Sequence, residues 1–128
     1  MAVSAGSFTV LVRDYDEAIA FFTGAVGLDL VEDTDQGGGR RWVVVGGRSG
    51  ATVILAKADT AEQIARIGDQ TGGRVGFFLH SDDIVADHRR MTEQGVRFRE
   101  ELRHEPYGSV AVFEDLAGNA WDLIQPAR

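Results

Sequence analysis

Asp122 is the side chain of this sequence with the most chemistry in it and the least obvious reason to be where it is. It stands in Trp121-Asp122-Leu123-Ile124, an apolar run that follows Gly118-Asn119. A carboxylate set in such a run is costly to bury unless something pairs with it. It therefore either points to solvent or faces a ligand cavity. His80 closes a second β-rich run and stands at even spacing from Gly76 and Phe78. Strand side chains alternate between faces, so these three share one face, and Phe77 and Leu79 the other. An imidazole there can act as a general base, which makes Asp122 and His80 the two catalytic candidates. The plainer alternative for His80 is a strand-end residue satisfied by Asp82 or a backbone carbonyl.

Other groups offer binding rather than bond making. His104-Glu105-Pro106-Tyr107-Gly108 reads as a loop, and Tyr107 supplies a flat face and a hydroxyl suited to a planar ligand. Trp42 either lines a cavity or fills the core. Arg40-Arg41 could hold an anion through fork-shaped hydrogen bonding, or form a solvated pair. His88, among Asp87, Arg89 and Arg90, reads as a solvated helix residue. The chain has no cysteine, which excludes disulfides, thiolate catalysis and cysteine-ligated zinc. No phosphate-binding glycine loop, nucleophile elbow or zinc-protease helix motif is present.

These residues need elements to position them. Phe8–Val12 is β-rich. Asp14 with Glu17, ahead of Ala18, Ile19, Phe22 and Val26, has the capping-box form and predicts a helix that Gly27 ends. Strands follow over 28–32, 41–45 and 52–56, with a mobile Gly-rich loop expected over 33–39. Thr60 to Gln63 repeats the capping pattern for a short helix. In the second half, a strand over 75–79 leads to a helix opened by Asp82-Asp83 and ended by Gly95. Strands over 96–100, 109–113 and 120–125 complete the chain. Gly118-Asn119 is expected to supply positive φ to the last hairpin.

The order is βαβββ twice. Asp83 stands 69 residues after Asp14; Gly95, Val110 and Gly118 each stand 68 after Gly27, Trp42 and Gly50. One shared offset across separate landmarks indicates an internal duplication. The expected organisation is one α+β domain of 128 residues, with repeat halves at roughly 1–58 and 74–128 joined by a short helix and loop. Hydrophobic residues are 44% and charged residues 26%, as in globular proteins. A net charge of −7 argues against nucleic acid or an anionic membrane as partner. No signal peptide or membrane-spanning run is evident, so the expected location is cytoplasmic.

Val10-Leu-Val-Arg-Asp14-Tyr-Asp-Glu-Ala-Ile-Ala-Phe-Phe22, the Gly27-Leu28 stop and Glu114-Asp-Leu-Ala-Gly118-Asn-Ala-Trp-Asp122-Leu123 together resemble the vicinal oxygen chelate superfamily of glyoxalases, bleomycin-resistance proteins and dioxygenases. The resemblance covers nearly the whole chain. It implies paired βαβββ modules whose curled mixed sheets form a cup, and a homodimer. It also implies, in metal-dependent members, His and Glu ligands at positions that here carry Ser7, Ile54, Gly76 and Asp122. Only Asp122 is a good ligand, and a stable divalent site takes about three or four protein donors. The expectation is therefore a metal-independent protein that binds a small organic ligand and needs no cofactor. Its cavity would be lined by Ser7, Trp42, Ile54, Phe78 and Tyr107, with Asp122 and His80 as polar groups. The alternative is a glyoxalase-like lyase or isomerase, or a dioxygenase-like enzyme, using Asp122 and His80 with or without a divalent metal.

Overall fold

A computed structural model describes residues 2–127 and divides the chain into two compact units, Met1–Ile67 and Gly68–Arg128. The first unit contains strand β1 (Ser7–Val12), helix α1 (Tyr15–Ile19), which continues as a π-helix over Ala20–Val26, strands β2 (Asp29–Gly37), β3 (Arg40–Gly46) and β4 (Thr52–Lys57), and helix α2 (Ala61–Arg66). The second contains β5 (Phe77–His80), α3 (Ile84–Glu93), β6 (Arg97–Phe98), β7 (Arg103–Glu105), β8 (Gly108–Glu114) and β9 (Ala120–Pro126).

Each unit folds into a mixed sheet with the same plan. In the first, the order is β1-β4-β3-β2; β1 runs parallel to β4, and the other pairs are antiparallel. In the second, the order is β5-β9-β8-β6, with β7 also on β8; β5 runs parallel to β9 and the rest is antiparallel. A parallel pair needs a crossover. In both units that crossover starts at the helix and returns through the intervening strands. The caps follow the duplicated pattern: the Asp14 carboxylate accepts from Glu17 N, and that of Asp83 from Ala86 N. Gly27 ends the first helix at φ 97°, and Gly95 follows the second at φ 87°, a backbone region that a Cβ disfavours.

Alternation decides what each sheet buries. In the first unit Val10, Val12, Val43, Val45 and Leu55 lie on one face and are buried with Ala18, Phe22 and Val26 of the helix. In the second, Ala111, Phe113, Trp121 and Leu123 are buried on the face that packs with Ile84 and Met91 of α3. Phe77 stacks on Trp121 at 4.8 Å between ring centroids, and Trp121 on Phe113 at 5.8 Å. The opposite, open faces of the two sheets carry the residues of functional interest.

Four sequence expectations change. The stretch 33–39 is largely not a loop: β2 runs to Gly37, paired through Asp33↔Val43, Thr34↔Trp42 and Asp35↔Arg41. Its polar residues are tolerated because β2 is an edge strand, exposed along its whole length. The strand expected over 96–100 shortens to Arg97–Phe98, and Arg103–Glu105, read as part of a loop, pairs with β8 through Arg103↔Val110 and His104↔Ser109. Asn119 does not take positive φ; Gly118 alone does, at 103°. Asn119 instead works through its side chain.

Candidate functional site

The open face of the second unit's sheet is built from β5, β9, β8 and β7. Phe78 pairs in register with Asp122, which pairs on its other side with Val112; His80 pairs with Ile124, Ile124 with Val110, and Val110 with Arg103. Pairing fixes the face, so Phe78, Asp122, Val112, His80, Ile124, Val110 and Arg103 all project from the side opposite Trp121 and Leu123. The spacing argument for His80 and Phe78 thus places both on the face of Asp122. His80 is exposed at the end of β5. Phe78 is 61% exposed and Tyr107, in the β7–β8 turn, 57%.

Asp122 is half-buried, between the side chains of Phe78 and Val112. Its carboxylate forms no hydrogen bond or ion pair with any described residue. Burial pushes its carboxyl above the ordinary carboxylate range; Arg103 pulls the other way, and Glu100 adds to the rise. Arg103, the cation that Asp122 senses, is already committed. Its Nε donates to Glu100 at 2.9 Å and its Nη1 to Glu105 at 2.9 Å. Sequence reading missed Arg103 and Glu100. The alternation of Arg103 with Glu105 was the available signal, hidden because the segment read as a loop. The neighbouring His104 turns to the other face, its Nδ1 2.6 Å from Ser109 Oγ. His88 is not simply solvated: its ring packs on Phe98 at 4.2 Å.

The turn before β9 is held by a buried carboxylate. Asp115 Oδ1 accepts from the backbone N–H groups of Ala117, Gly118 and Asn119 at 2.9–3.0 Å, and Oδ2 from Asn119 Nδ2 and Trp121 Nε1, both at 3.0 Å. This fixes the direction in which β9 leaves the turn, and with it the position of Asp122. The Asp-x-x-Gly-Asn pattern is therefore a structural device, and Asp122 lies just beyond it.

The first unit's open face carries Ser7, Thr9, Trp42, Val44, Thr52 and Ile54, by the pairings Ser7↔Thr52, Thr9↔Ile54 and Val44↔Ile54. Trp42 is 39% exposed and is not part of the core. Ser7 Oγ and Thr52 Oγ1 share a hydrogen bond of 2.7 Å. Arg41 faces the helix side. It donates to both carboxylate oxygens of Asp33 (3.1 and 2.7 Å) and to Asp16 (2.9 Å), and lies 5.1 Å from the Tyr15 ring centroid. It is thus spent on structure rather than held for an anion. Arg40 lies 3.6 Å from Asp59.

The four positions where a divalent metal is implied can be tested on donor chemistry. Ser7 offers a hydroxyl already bonded to Thr52, Ile54 and Gly76 offer no side-chain donor, and Asp122 offers one carboxylate. This set does not fit a metal ion. Among the described residues no group of three or more His, Asp or Glu side chains lies close enough to hold one.

Comparison with known proteins agrees with this architecture. An uncharacterized protein of Shewanella frigidimarina is 48% identical over 119 residues, 91% of this chain and 88% of that protein. The crystal structure of TnmS3, an antibiotic binding protein from Streptomyces sp. CB03234, matches at a TM-score of 0.79 with 31% identity, covering 99% of each chain. That of UcmS2 matches at 0.82 with 29% identity, covering 97% of this chain and 98% of that one. The family model of the Glyoxalase/Bleomycin resistance protein/Dioxygenase superfamily matches residues 4–123, nearly the whole chain and both βαβββ units, and the chain belongs to that superfamily.

Proposed function

We propose that this chain binds a small organic molecule, without a metal ion, on the open face of the second unit's sheet. The observation that carries the reading is the exposure of large aromatic side chains there: Phe78 at 61% and Tyr107 at 57%, beside a half-buried carboxylate. A sheet face that keeps such large aromatic side chains exposed has the composition of a binding surface. Likeness to an antibiotic binding protein at 31% identity supports the same class of ligand. Trp42 and Ile54 give the first unit's open face an apolar surface of its own, which we propose also meets ligand.

Equilibrium binding against a broad panel of small aromatic compounds tests this. Saturable binding of at least one compound, unchanged by a chelator, is expected; none across the panel would remove the reading. Elemental analysis of protein purified without chelators should give less than about 0.1 metal ion per chain, because an occupied site holds close to one.

A second reading, proton transfer by Asp122, has one observation in its favour. Burial raises its carboxyl, and a raised carboxyl suits general acid–base work near neutral pH. Turnover of a bound compound that Asp122→Asn abolishes, with binding retained, would favour it. We further propose a cytoplasmic homodimer, for which sedimentation should report the mass of two chains.

A further inference from the structure

We infer that the ligand carries a protonated amine, and that this ammonium group sits against the Asp122 carboxylate and the face of the Phe78 ring. The inference rests on the binding reading above and names the chemistry that reading leaves open.

The duplication supplies an internal control. Ile54 occupies in β4 the place that Asp122 occupies in β9, and the two sheets share one pairing plan: Thr9↔Ile54 in the first, Phe78↔Asp122 in the second. An apolar side chain therefore satisfies this fold at that position. Nothing structural is gained from the carboxylate either, because it bonds to no described residue. An unpaired carboxylate between Phe78 and Val112 carries a desolvation cost. A cost without a structural return fits a group held for a partner from outside.

The sign of that partner follows from the charges around it. Arg103 is the cation that Asp122 senses, and Glu100 and Glu105 already take its guanidinium N–H groups. Three carboxylates (Asp122, Glu100 and Glu105) around one guanidinium leave the cluster net negative, so an arriving anion meets repulsion and an arriving cation does not. Phe78 then decides the kind of cation. A ring 61% exposed, on the strand paired with Asp122, offers a π face to an ammonium and apolar area to the carbon skeleton that bears it. A bare metal ion gains little from that ring, and one carboxylate does not hold it.

The test uses matched planar compounds, with 2-(aminomethyl)naphthalene, an alkylammonium at neutral pH, as the cation and 2-(hydroxymethyl)naphthalene as the neutral counterpart. They are followed by further arylalkylamines and their neutral isosteres from the binding panel. Affinities are measured by calorimetry on the full chain and on Asp122→Asn and Phe78→Leu variants whose folding is verified by circular dichroism. The expected result is at least tenfold tighter binding of the amines. Asp122→Asn should abolish that preference, and Phe78→Leu should weaken the amines more than the neutral compounds. Equal affinity for amines and neutral isosteres, or a preference that survives Asp122→Asn, would overturn the inference and leave the binding reading standing. No saturable binding by either class would overturn both. A stoichiometric Zn²⁺ site lost in Asp122→Asn would overturn the inference in favour of a metal.

Discussion

At the scale of the residue, Asp122 joins two properties that ordinarily conflict: it is unpaired among the described residues, and it is half-buried. Its folded-state carboxyl is raised by desolvation, so the folded protein binds a proton there more readily than the unfolded chain does. The stability contribution of such a group falls as pH rises from the unfolded value through the folded one, and the penalty stays constant above it. Asp122→Asn is therefore expected to stabilise the protein at neutral pH by ~0.5 kcal/mol, a small gain because solvent still reaches the group. Urea midpoints for the two proteins at pH 7 and below pH 4 check this: the difference should shrink in acid. A destabilised Asp122→Asn would mean that the carboxylate has a structural partner after all. Trp42 makes a separate case on the first unit's open face. Trp42→Ala should leave the urea midpoint almost unchanged, because the side chain is outside the core, while lowering ligand affinity about tenfold, the usual scale for an aromatic contact.

At the scale of the element, two local devices hold the strands. The turn that launches β9 hangs on Asp115, whose carboxylate accepts five hydrogen bonds while 5% exposed. In Asp115→Asn one oxygen becomes a donor facing other donors. The change should cost about 3 kcal/mol, as expected for buried groups left without acceptors. It should lower the urea midpoint with the slope of the transition preserved. Asp122 would lose its fixed placement as well, so ligand affinity should fall although Asp115 touches no ligand. The first unit has no counterpart to this device, because Gly47 stands 68 residues before Asp115. Its own fastening is Arg41, which joins β3 to Asp33 of β2 and to Asp16 of α1. Hydrogen bonds from Arg41 hold the Asp33 carboxyl below its ordinary range. Its contribution is present above the unfolded value and is lost as pH falls through the lowered one. Protection against hydrogen exchange along β2, corrected for the pH dependence of intrinsic exchange, should therefore fall in acid in the native protein, and at neutral pH in Arg41→Leu.

At the scale of the whole molecule, two mixed sheets of one plan come from one chain. Repeating the same βαβββ pattern with different side chains lets one copy explain the other: Ile54 shows what the fold requires, and Asp122 what it does not. The described residues include no helix long and apolar enough to cross a membrane. Superfamily membership fixes the architecture, whereas function follows from what stands on the open faces. Here those faces keep aromatic side chains and the Asp122 carboxylate, and of the four implied metal positions only Asp122 is a good ligand.

The sequence by itself determined the repeat, the caps at Asp14 and Asp83, the stops at Gly27 and Gly95, and the common face of Phe78 and His80. Each of these depends on near neighbours in the chain or on strand alternation, so local chemistry suffices. It also exposed the poverty of the metal positions, which is a matter of residue type alone. Only the tertiary structure decided the rest. Arg103 and Glu105 form a strand because β8 supplies their partners. Asp35 lies in a strand because an edge position leaves its side chain exposed, and Asp33 because Arg41 of β3 pairs with its carboxylate. Arg41 proved to be committed to Asp33 and Asp16, and Arg103 to Glu100 and Glu105. Strand pairing and charge compensation are settled by groups distant in sequence or by the direction side chains take in space. For that reason the sequence could pose the question of Asp122, and only the fold could show that its carboxylate bonds to no described residue.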